Sequence, residues 1–192
     1  MINQQIFRAY DIRGSSVSDL SNEIAYKIGY AFAKQVITDS NKLVCVARDG
    51  RISSPELCFS LICGLKDAGA NVKFFGILPT PALYYADKIS APAGSIIVTG
   101  SHNPKNDNGF KMLVKSMPFF GQMIQEIKDY INKQNWPSIS ISSTIDDIDV
   151  IDIKQDYLNR ILQNAEINPD LKVAFDPANG AAGELTTMLC RQ

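Results

Sequence analysis

A chain of 192 residues, 45% of them hydrophobic, can bury one complete core and part of a second. Nineteen Lys and Arg against twenty Asp and Glu give a net charge of −1, and the basic residues are scattered, which argues against nucleic acid or an anionic membrane as partner. No apolar run approaches bilayer length and the polar start Met1-Ile2-Asn3-Gln4-Gln5 is not a signal peptide, so the expectation is a soluble, cytoplasmic protein.

Helix-like and strand-like stretches alternate, which predicts an α/β fold: a three-layer α/β/α domain with a mostly parallel mixed sheet. Residues 7–14 offer two arginines and a tyrosine around a turn. Ile24, Ile28 and Phe32 recur at helical spacing behind Ser18, Asp19 and Ser21 as candidate caps. Residues 42–47 form a short apolar strand that Arg48-Asp49-Gly50-Arg51 ends; Asp49-Gly50 reads as a turn and Arg51 as solvated. A helix starting at Ser53-Ser54-Pro55-Glu56 buries Leu57, Leu61, Ile62 and Leu65 and stops at Gly69. Residues 71–75 make the next strand, and 81–88 a helix with a Leu83-Tyr84-Tyr85 face. Asn108-Gly109 signals a tight reversal between strands 95–99 and 110–115. A helix covers about 121–132.

Residues 137–144, small, polar and β-branched, suggest a boundary between domains. Beyond them, 152–165 is helix-like and 171–175 is strand-like and expected to be buried. Residues 176–183 then read as a strand-to-helix turn, and the chain stops partway through the helix this begins. Cys45, Cys58, Cys63 and Cys190 lie in apolar contexts without C-x-x-C spacing, so buried thiols are expected. With one histidine in the chain, a zinc site is not.

Ligands of open α/β sheets gather outside the carboxyl ends of the strands. Three loops qualify: 48–51, 76–81 and 100–108. The last carries Ser101, a potential nucleophile or phosphate carrier, and the unique His102, which could act as a base, orient a phosphate or donate to backbone. If the reversal forms, Lys111 returns near Ser101. Arg13 is a candidate anion binder because its fork matches phosphate geometry. Ser101-His102 does not fit the G-x-S-x-G frame of a hydrolase, and adjacent side chains tend to diverge. The G-x-G-x-x-G of a dinucleotide site is missing after the first strand.

Four pieces occur in order: F-R-A-Y-D-I-R-G, V-A-R-D-G-R-x-S-S-P-E-L, G-I-L-P-T-P-A-L-Y-Y-A and I-V-T-G-S-H-N-P-K-x-x-N-G-F-K. They resemble the amino-terminal domain of the α-D-phosphohexomutases, in particular the bacterial phosphomannomutase/phosphoglucomutase members, and residues 171–183 resemble the opening of that family's second domain. The resemblance implies domain 1 over 1–136, a linker over 137–150 and an incomplete start of domain 2 over 151–192. It implies a phosphohexomutase that interconverts hexose 1- and 6-phosphates of mannose or glucose through a bound 1,6-bisphosphate. Ser101 then carries the phosphoryl group, Lys111 and the neighbouring His102 serve proton transfer, and Tyr10 and Arg13 contact substrate or the phosphoryl site.

The implied cofactor is Mg²⁺, touched in this chain only by Ser101 through its phosphate. The family's D-G-D-G-D-R metal loop has no counterpart, and Asp146, Asp147 and Asp149 form the nearest acidic cluster, in a linker of different pattern. The implied partners are hexose phosphates and the remaining domains of a parent enzyme. The 192 residues alone are expected to be inactive. A second reading is a non-catalytic phosphosugar- or partner-binding module on the same scaffold.

Overall fold

The structure, a computed structural model, describes residues 2–139, 148–166, 170 and 172–191. Among them a mixed sheet is built from β1 (Ile12–Ser15), β2 (Leu43–Arg48), β3 (Asn71–Ile77), β4 (Gly94–Val98), β5 (Asp107–Val114) and the two-residue β6 (Met117–Pro118). The strand order is β1-β5-β4-β2-β3, with β6 beside β5. β2 pairs parallel with β3 and β4, so the carboxyl ends of all three lie at one edge. β5 returns antiparallel to β4, and β1 and β6 pair antiparallel with β5.

One face of the sheet is covered by α1 (Asn22–Val36), α2 (Ser54–Asp67) and α4 (Gln122–Lys133). They bury a core that includes Ile12, Ile28, Phe32, Leu61, Leu65, Ile96 and Phe110. Ser21 caps α1 by accepting from Ile24 N at 3.2 Å. α2 carries Pro55 in its first turn and ends before Gly69, whose φ of +100° suits glycine.

α1 and α2 meet backbone to backbone. A Cβ on Gly29 would sit 2.2 Å from Leu61 O, and one on Gly64 would sit 2.0 Å from Tyr26 O. Each helix therefore supplies a glycine where the other presents a carbonyl.

The other face carries α3 (Thr80–Ser90), with α5 (Lys154–Leu162) and α6 (Gly183–Leu189) packed around it. Leu83 is buried there and Tyr85 stacks obliquely on Tyr157, but Tyr84 points outward, so the expected Leu83-Tyr84-Tyr85 face is narrower than its sequence suggests. Val150 bridges to the free edge of β3 at Phe74, and Ile151 N donates to Phe74 O at 2.8 Å.

Three expectations change. Residues 7–14 form a turn, closed by Arg8 N donating to Asp11 O at 3.0 Å, but the second half is a strand, β1. Its four residues are too few for periodicity to declare, and their partner is far along the chain. Residues 172–175 are irregular, and Val173 and Phe175 are more than half exposed. No described strand lies beside them, and without a partner an apolar β-branched run has no ladder to join. Asp146 and Asp147 lie outside the described residues.

The third change concerns thiols. Cys45 and Cys58 are fully buried and Cys63 is half-buried, but Cys190 is exposed at the end of α6. Burial pushes the Cys45 thiol up to about 11 and raises Cys58 and Cys63 as well. In a thiol titration with an aromatic disulfide at pH 8, Cys190 is expected to react first. Cys45 and Cys58 should react only after denaturant is added.

Candidate active site

The strand ends at the carboxyl edge of β2 and β4 are joined by a polar network. Asp49, just past β2, is buried; its Oδ2 accepts from Gly100 N at 3.0 Å and its Oδ1 from Ser54 Oγ and Arg51 N. Asn108 is wholly buried, and its Nδ2 donates to Ser53 Oγ and Ser54 Oγ at 2.9 Å each. The first turn of α2, the loop after β4 and the start of β5 thus form one unit.

This explains why Asn108-Gly109 does not make the expected reversal. Both lie inside β5, and the turn is the longer loop 99–106. The asparagine is used for its amide in a polar core. The glycine is needed because a Cβ there would stand 2.3 Å from Ile12 O of β1. The expected antiparallel pairing of the flanking strands is present, with Ser95 opposite Leu113 and Val98 opposite Phe110.

The loop is two consecutive turns, Asn103 N donating to Gly100 O at 3.1 Å and Asp107 N to Pro104 O at 2.9 Å. Ser101 sits at its apex with φ of +55°, a left-handed conformation that is rare for a residue with a side chain. Thr99 Oγ1 accepts from Ser101 N at 2.9 Å and holds it there. Strained backbone of this kind concentrates at functional sites. The Ser101 hydroxyl is exposed and lies 3.2 Å from His102 Nδ1. The expectation that adjacent side chains diverge fails here because the left-handed residue turns its side chain toward its neighbour's. No described carboxylate bonds the imidazole, so a hydrolase triad is not assembled.

Arg13 lies on β1 directly opposite Gly109, and Lys111 lies opposite Ile97. Residues 109 and 111 project to the same side of β5, so Arg13 and Lys111 share a sheet face as diagonal neighbours, about 7–8 Å apart. Arg13 donates to Asn103 Oδ1 at 2.5 Å and pairs with Asp11 at 2.7 Å, which ties β1 to the serine loop and leaves further N–H groups for an anion. Lys111 is half-buried, with no direct contact to Ser101. Tyr10 is 80% exposed and stacks on Phe120, centroids 6.4 Å apart.

Arg51 differs most from its sequence reading. It is folded against the serine loop, its side chain only 15% exposed. Loop 48–51 was among the qualifying loops, but Asp49 was read as part of a turn and Arg51 as solvated, and Thr99 was not singled out; its local hint was a threonine two residues before the serine, the spacing of a hydroxyl-closed turn.

For Mg²⁺, the carboxylates near the loop are already committed: Asp11 to Arg13, Asp49 to Arg51 and backbone, and Asp107 to Asn103. Among the described residues no group of three His, Cys, Asp or Glu could hold a metal. These residues do not by themselves fit the ion.

Residues 4–138 match the family model for "Phosphoglucomutase/phosphomannomutase, alpha/beta/alpha domain I". The chain is 40% identical over 184 residues to a phosphomannomutase/phosphoglucomutase of Pseudomonas syringae pv. tomato, covering 96% of this chain and 38% of that protein. It is 35% identical over 182 residues to a phosphoglucomutase of Neisseria meningitidis serogroup B, covering 95% of this chain and 39% of that protein. The crystal structure of a phosphoglucomutase/phosphomannomutase family protein from Burkholderia thailandensis superposes with a TM-score of 0.86 at 37% identity, covering all of this chain and 42% of the other. The chain spans about two fifths of the length of the curated relatives it matches. The match over residues 4–138, with relatives up to 40% identical across almost all of this chain, places it in the phosphoglucomutase/phosphomannomutase family.

Proposed function

We propose that this chain is the phosphoserine-bearing part of a phosphohexomutase, and that Ser101 Oγ receives and returns the phosphoryl group of a hexose 1- or 6-phosphate. The observation that carries the reading is the exposed, left-handed Ser101 with His102 Nδ1 3.2 Å from its hydroxyl. In the loading step the bond between phosphorus and a sugar oxygen of the bisphosphate breaks as one forms to Ser101 Oγ; the serine hydroxyl gives up its proton, and the hexose monophosphate leaves with a proton taken up on the freed oxygen. A proton acceptor must lie within hydrogen-bond reach, and His102 does. Lys111 and Arg13 lie on one sheet face as cations for the equatorial phosphoryl oxygens. Lys111 also serves proton transfer, and Tyr10 lines the approach of the sugar.

Mg²⁺ belongs to the proposal as an ion whose carboxylate ligands lie outside the described residues. The division into a phosphoserine domain over 1–136, a linker over 137–150 and the opening of a second domain from 151 is supported by a family match that stops at 138. The substrates are glucose or mannose phosphates, the setting is cytoplasmic, and the remaining domains act as partners.

The test is phosphopeptide mapping of the complete polypeptide after incubation with glucose 1,6-bisphosphate. One phosphate on Ser101 is the expected result; a phosphate elsewhere, or none, ends the reading. In the same protein Lys111→Met should lower kcat about 10²–10⁴-fold, the range for losing a proton-transfer group. A drop smaller than tenfold would remove Lys111 from the chemistry.

A further inference from the structure

We propose that Arg51 is a positioning residue for the phosphoryl-accepting serine, its four Nη donors clamping loop 99–106 and the start of β5, and not a phosphate ligand; this rests on the phosphoserine reading of Ser101. A guanidinium has five N–H donors. Nη1 of Arg51 donates to Pro104 O at 2.6 Å and Asp107 O at 3.0 Å, and Nη2 to Asn103 O at 2.7 Å and Ser101 O at 3.2 Å. Nε pairs with Asp49 Oδ2 at 3.2 Å. All four Nη donors therefore have acceptors, each a backbone carbonyl between Ser101 and Asp107.

A phosphoryl group on Ser101 therefore finds both Nη groups of Arg51 already taken and its Nε turned to Asp49, although the charge is nearby. Arg13, with N–H groups to spare, is the arginine that can meet the anion. The loop's own composition fits the clamp. A Cβ on Gly100 would lie 2.4 Å from both Cζ and Nε of Arg51, so glycine is what lets the guanidinium lie across the loop. Two of the tethered carbonyls, at Ser101 and Asn103, flank His102. The clamp thus fixes Ser101 itself and the residue that follows His102, holding both ends of the pair that must exchange a proton.

The geometry matters because a planar fork can hold four diverging carbonyls at once, whereas an ammonium offers three donors from one point. Arg51→Lys keeps the charge and loses the geometry. Gly100→Ala keeps the arginine and displaces it, its methyl also meeting Asp107 O at 2.7 Å. In the complete polypeptide, with glucose 1-phosphate as substrate and glucose 1,6-bisphosphate as activator, both variants should lower kcat about 10²-fold, the cost of roughly 1 Å of misplacement. KM should stay within about threefold, since uniform binding is untouched.

Amide hydrogen exchange supplies the second readout. Peptides covering 100–107 should exchange faster in both variants while those of α1 and β2 keep their protection. Unchanged kcat in both variants overturns the proposal. So does a raised KM at unchanged kcat, which would make Arg51 a substrate ligand, and so does loss of protection throughout the fold, which would make it a general structural residue. Ser101→Ala run alongside separates the two layers. An active Ser101→Ala enzyme sinks the phosphoserine reading, while an inactive one beside a wild-type Arg51→Lys sinks only the clamp.

Discussion

Ser101→Ala is expected to abolish mutase turnover of the complete protein, by on the order of 10⁴–10⁶-fold as when a covalent nucleophile is deleted, and to leave its melting temperature unchanged. The hydroxyl is exposed and its one side-chain partner is the exposed His102, so little folding energy depends on it. Ser101→Gly sharpens the same point. A left-handed residue with a side chain costs about 1–2 kcal/mol, and glycine escapes most of that while adding chain entropy to the unfolded state. The glycine variant should therefore be as dead as the alanine variant and more stable than wild type, by up to about 1 kcal/mol. Calorimetry on both checks it. A glycine variant that melts lower than wild type would mean the strain at this position is not real.

The second large effect lies where α1 crosses α2. Gly64→Ala would drive a methyl to within 2.0 Å of Tyr26 O, and Gly29→Ala one to within 2.2 Å of Leu61 O. Neither obstacle is a flexible side chain that could swing aside. The helices must part, and overpacking of this kind costs roughly 2–3 kcal/mol. For a chain of this size that lowers the melting temperature by about 5–10 °C. Gly64 lies in the helix whose first turn is bonded to Asn108, so the site should loosen with the fold. If Gly64→Ala melts within about 1 °C of wild type, the helices are not in backbone contact as described.

The longer helices and the central strands were legible because each carried a local signature: Ser21 before a helical repeat, Pro55 in a first turn, and an apolar run at residues 42–47. The serine loop was legible as a place outside the strand ends, but the left-handed turn at Ser101 was not. What escaped were features that depend on distant partners. β1 is four residues whose only ladder is β5, and nothing local announces a strand so short. Asn108-Gly109 sent a true turn signal, but tertiary demands overrode it, the amide being required by two serines of α2 and the missing side chain by β1. Arg51 looked like a surface arginine because the carbonyls that satisfy it come from residues 101–107, fifty positions away. Residues 172–175 have strand composition without a described neighbour to pair with.

The pairing of β1 with β5 also bears on biosynthesis. Ile12 leaves the ribosome roughly a hundred residues ahead of Phe110, on the strand it must join. At about 5–20 residues per second the nascent β1 waits on the order of 5–20 s without its ladder. Arg13 and the serine loop can meet only once that interval has passed.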